Sequence, residues 1–178
     1  MENINQIRLI SIWIFIITFA SLNLCLFISV NYHLLEGTIF TVDPIGRSGF
    51  TIPYIDGSVS ISRTARTFPA YLIFKPGMLI TAILVIQYWR ANNKLIQTIN
   101  NDFSKKKYFL FFGVCSAVCL VIHSLLLGIH FEVDLYKFFR RFVLLAFIIF
   151  ELVAQALLIN SIIKIKNKIS EMINKKIL

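Results

Sequence analysis

Glu151 is a carboxylic acid inside an apolar stretch, "FVLLAFIIFELVAQALLINSII", that follows Arg141 and ends near Ile163. It lies about ten residues into the run, roughly 15 Å deep at helical rise. An ionised carboxylate at that depth costs several kcal/mol unless it is paired, faces water or carries a proton. Gln155 follows one turn later on the same helical face. Two polar groups in other apolar stretches are candidate partners, Lys75 and His123. Counted from the helix ends, both lie about 10 Å below the outer surface and Glu151 roughly one turn deeper. A polar cluster of Lys75, His123, Glu151 and Gln155 is therefore sterically open. Its two readings are a hydrogen-bonded knot that locks helices together and a functional intramembrane acid or base. Pro76 and Gly77, directly after Lys75, add a possible kink and a close-approach point.

The second constellation is "TIPYIDGSVSISRTAR", residues 51 to 66. Asp56-Gly57 is a two-residue hairpin signal, because a type I′ turn needs positive φ at both positions. Beyond it Ser58, Ser60 and Ser62 alternate with Val59 and Ile61, which places the hydroxyls on one strand face. Pro53 fits an edge strand. Arg63 and Arg66 follow. Arginine with hydroxyl groups is the chemistry that holds a phosphate. Ser58, Ser60, Ser62, Arg63 and Arg66 are thus candidates to contact a lipid head group. The alternative is that the two arginines snorkel to the interface as general anchors.

The elements that position these residues are read from hydropathy. Of the 178 residues 57% are hydrophobic, a composition that leaves too little polar surface for a soluble domain of this length. Apolar runs at about 9–30, 68–89, 108–129 and 142–163 are each long enough to cross a bilayer. The first is too long for the core of a signal peptide. The fold expected is an all-α integral membrane bundle of four transmembrane helices. It carries a small β-hairpin flap in an outer loop, 31–67, and a C-terminal amphipathic helix in a tail, 164–178. In that tail Ile165, Ile169, Met172, Ile173 and Ile177 recur at helical spacing opposite lysines. The chain reads as a single membrane domain, 1–178.

Lysine and arginine are denser in 90–107 and in the tail than between the other spans. That bias puts both termini in the cytoplasm, at the bacterial inner membrane if the source is prokaryotic. The net charge of +9 is explained by these flanking residues, and no soluble basic face exists to bind nucleic acid. Cys25, Cys115 and Cys119 lie inside apolar runs without a Cys-x-x-Cys, so they read as packing residues and not as metal ligands. His33 and His130 fall at the rims of spans, a poor placement for a haem pair. No cofactor is expected. Hydrolase, phosphate-loop and dinucleotide motifs are absent from the sequence.

The order of short motifs, "IPYIDGSVSIS", "RTFPAYLIF" leading to "QYW", "HFEVDLYKFFRRF" and "FELVAQALL", resembles the FRAG1/DRAM/Sfk1 superfamily, which includes GPI-lipid remodelling factors. Pro53, Ile55, Ser58, Ser60 and Arg63 match its loop motif. The superfamily usually has more spans than are counted here, and Asp56 stands where it often has serine. The resemblance implies lipid handling in a membrane. The expectation is a small polytopic protein that binds or organises membrane phospholipid, without an evident catalytic motif. Two alternatives stand beside it. One is a lipid-remodelling enzyme transferring acyl chains, with Glu151, His123 or an outer-loop group as base. The other is an accessory subunit of a membrane complex, with a membrane-protein partner or a second copy of the chain.

Overall fold

The computed structural model describes residues 2–35, 37–40, 55, 64–65, 67–99, 108–127 and 134–166. Among them the secondary structure is helical, and four helices are long and apolar enough to cross a membrane. They are α1 (Glu2–Val30), α2 (Tyr71–Ile99), α3 (Tyr108–Leu126) and α4 (Asp134–Lys164). A single 3₁₀ turn, Tyr32–Leu35, follows α1. The chain is an integral, multi-pass membrane protein of four helices. The expected hairpin finds no support: Ile55, placed on its near strand, is helical and no strand occurs among the described residues, while 51–54, 56–63 and Arg66 lie outside them, as does the tail from 167 onward.

Three helices outrun the apolar runs that announce them. α1 begins seven residues before Leu9, α2 continues ten residues past Trp89, and α4 starts eight residues before Phe142. Hydropathy marks where a helix meets hydrocarbon. The i→i−4 ladder continues into the head-group region, where polar side chains are tolerated. Lys137, Arg140 and Arg141 are therefore on the first turns of α4 and not in a connecting loop.

Consecutive helices pack antiparallel: α1 on α2, α2 on α3, α3 on α4. α1 and α4 make almost no direct contact. The central helices α2 and α3 bury 39% and 33% of their most apolar stretches, whereas α1 and α4 bury 22% and 17%. The outer faces of the flanking helices carry exposed Phe15, Phe19, Phe142, Ile149 and Leu152, as lipid contact requires.

Small side chains set the spacing between helices. Gly77 meets Ser21 so closely that an added Cβ would sit 2.0 Å from the serine Oγ. The Trp89 ring lies on Gly113, where a Cβ would be 2.4 Å from the indole. These are small-residue approaches of the kind that bring membrane helices together. A Thr18–Thr81 hydrogen bond of 3.2 Å fixes the register of α1 against α2. Two apolar cores result. One joins Cys25, Phe74, Met78 and Leu120 towards the α1–α2 connection. The other joins Trp89, Ile96, Phe109, Leu158 and Ile165 towards the face that bears the N terminus. Ile165, expected to open an interfacial tail helix, is instead 2% exposed and packed into the second core.

Candidate functional site

Two sites open between α1 and α4, in the space left because these helices make almost no direct contact. The first is built around Glu151. α3 supplies Ser116, fully buried, whose hydroxyl donates to Glu151 Oε2 at 2.6 Å. α2 supplies Trp89, also fully buried, whose Nε1–H donates to the same oxygen at 3.3 Å. Gln155 Nε2 donates to the other oxygen, Oε1, at 3.3 Å from the next turn of α4. The carboxyl thus ties three helices together, and Gly113 makes this possible because its bare surface lets the indole lie close enough. On its open side Glu151 lines a small cavity of about 190 Å³ with Ser11, Ile14, Val85, Tyr88 and Gln155.

The second site is a larger cavity of about 540 Å³, bounded by all four helices and by Ala65. Its walls are apolar: Leu22, Phe74, Met78, Leu120, Leu144 and Phe147. Its polar lining comes from Thr18, His123, Arg140 and Arg141. The shape is that of a hydrocarbon slot with cations on its α4 side.

The polar cluster expected from the sequence divides between these places. Glu151 and Gln155 come together. His123 lines the larger cavity, two turns along α3 from Ser116. Lys75 lies over the ring of Tyr71, 5.4 Å from its centroid, a cation–π contact near the start of α2. The carboxyl's partners are Trp89 and Ser116 in place of Lys75 and His123. Trp89 reads in sequence as an interfacial belt residue and Ser116 as one small residue in "GVCSAVC". The usable signal was Gly113 three residues before Ser116, a small-x-x-small stripe that permits close approach. The head-group candidates Ser58, Ser60, Ser62, Arg63 and Arg66 lie outside the described residues. Among the described residues no group of His, Cys, Asp and Glu is arranged to hold a metal ion.

No protein-family model, no curated protein and no solved structure matches this chain.

Proposed function

We propose that this protein binds membrane phospholipid in the slot between α1 and α4, as a binding or organising protein and not as a catalyst. One observation carries the reading: the apolar cavity of about 540 Å³ with Arg140, Arg141 and His123 in its lining. Its volume is within the range of about 300–1,000 Å³ usual for ligand pockets. Because α1 and α4 stand apart, a lipid tail can enter sideways from the bilayer. Guanidinium groups suit phosphate through paired N–H donors. Ser58, Ser60, Ser62, Arg63 and Arg66 of the outer segment would add contacts to the same head group. The FRAG1/DRAM/Sfk1 resemblance agrees with lipid handling.

The lysine and arginine bias puts the N terminus, the α2–α3 connection and the C terminus in the cytoplasm. The slot then faces the outer leaflet. An acyl-transfer enzyme is the second reading, and it rests on His123, the one ordinary base in the lining of the slot.

The test is lipid mass spectrometry on protein purified in mild detergent, wild type against Arg140→Ala/Arg141→Ala and against Leu144→Trp, which fills the slot. A lipid class enriched over bulk membrane and lost in both variants is the expected result. A profile equal to bulk membrane in the wild type would sink the proposal.

A further inference from the structure

The Glu151 cluster is not used by lipid binding in the slot, and its geometry raises a separate question of proton count. Ser116 has one hydroxyl proton and two acceptors within reach: Glu151 Oε2 at 2.6 Å and the Gly113 carbonyl at 2.9 Å. With an ionised carboxylate the proton goes to Glu151 and the Gly113 contact is unfilled. With a neutral carboxyl, Glu151 donates to Ser116 Oγ and Ser116 donates onward to Gly113. Every oxygen then has its bond, and Trp89 still donates to a free lone pair of Oε2. Both arrangements use the same heavy-atom positions. The site accepts or gives up a proton without repacking.

Among the described residues no cation faces Glu151 to hold a charge. From α1 the facing groups are Ser11 and Ile14, from α2 Val85, Tyr88 and Trp89, from α3 Ser116, and from α4 Gln155. Tyr88 is the one titratable side chain among them. An unpaired carboxylate here must be served by water or by a proton.

Access comes from the stagger of the helices. By sequence Glu151 is in the middle of an apolar run, but its neighbours are not. Ser11 is three residues from Arg8 on α1, and Tyr88 is two residues from Arg90 on α2. The cavity therefore lies at the depth where α1 and α2 turn polar, towards the face bearing the N terminus. Its 190 Å³ is room enough for several waters, with Ser11, Tyr88, Glu151 and Gln155 as polar partners. On the other side the fully buried Trp89 and Ser116 close the carboxyl off from the rest of the bundle.

We infer that Glu151 is a proton-binding site that exchanges with water on the N-terminal face through the Ser11–Tyr88–Gln155 cavity, and is sealed against the opposite face by Trp89 and Ser116. The inference does not depend on lipid binding.

The test uses the full chain in vesicles and a hydrophobic carbodiimide, which reacts with protonated carboxyls in membranes. Peptide mass spectrometry reads the adduct. Glu151 of the wild type is expected to be modified at low pH, with the rate falling about tenfold per pH unit above the midpoint. Glu151→Gln gives no adduct in that peptide. Ser11→Phe, which fills the cavity from α1 without touching the Trp89 and Ser116 bonds, slows modification severalfold. An unmodified Glu151, or a rate that does not change with pH, overturns the inference. Protection by sodium at fixed pH also overturns it, since the site would then hold a metal cation.

Discussion

The two sites share a pair of helices and differ in what holds their polar groups. In the larger slot the charged groups are on the first turns of α4, with Arg141 exposed and Arg140 half-buried. Nothing about the packing of the four helices requires them. In the inner cluster the carboxyl is bound by two fully buried donors from two other helices, and one of these, Trp89, is also a wall of the second core. The first site is a feature of the surface the bundle leaves open. The second is part of how the bundle is assembled. Polar groups inside a membrane protein can therefore be separated by a simple criterion, whether their removal disturbs helix packing.

That criterion gives graded expectations. The largest effect belongs to Gly113→Leu, which drives a side chain into the Trp89 ring and moves the indole off Glu151. Overpacking of this kind costs about 1–3 kcal/mol or more. The thermal unfolding midpoint in detergent should fall sharply. Ser116→Ala comes next. It removes the 2.6 Å bond but leaves the volume nearly unchanged, so a loss of about 1–2 kcal/mol is expected, at the upper end for membrane hydrogen bonds. Trp89→Phe keeps an aromatic ring and deletes the longer bond of 3.3 Å. Its effect should be about 0.6 kcal/mol for the bond plus about 1 kcal/mol or more for the space the smaller ring leaves at this fully buried site, read from the same midpoint. At the other site Arg140→Ala/Arg141→Ala should leave the midpoint within about 0.5 kcal/mol of wild type while removing bound lipid. A large loss of stability in that variant would break the contrast between the two sites. The smallest effect is Lys75→Leu, which gives up a cation–π contact of 5.4 Å worth about 0.5–1 kcal/mol at a partly exposed position and gains apolar contact with lipid.

Much of this was legible before any coordinates. Four spans follow from four apolar runs, and the Glu151–Gln155 pair follows from its spacing. What the sequence hid was stagger. Lys75 and His123 look like partners of Glu151 when each is counted from the end of its own run. The register is decided by Gly77 against Ser21 and by Gly113 under Trp89, contacts between residues far apart in the chain. In that register Tyr88 and Ser11, each at the edge of its own apolar run, come level with a residue in the middle of the apolar run of α4. Hydropathy carries no such information, because it treats each helix as if it crossed alone. The helix ends were misplaced for the related reason that an α-helix does not stop where its side chains turn polar.

The unequal lengths of the helices have a consequence for the bilayer itself. α3 has 19 residues, and its neighbours α2 and α4 have 29 and 31. At 1.5 Å per residue α3 is about 28 Å long, close to the hydrocarbon thickness it must cross, while the others reach roughly 44–46 Å. Phe111, Val118, Ile122 and Leu125 show that α3 presents its own wall to lipid. The four apolar runs are nonetheless alike, 22 residues each, so the extra turns of α2 and α4 stand in the head-group layer and not in hydrocarbon. The helices project unequally among the head groups, while a change in hydrocarbon thickness is expected to act on all four spans alike.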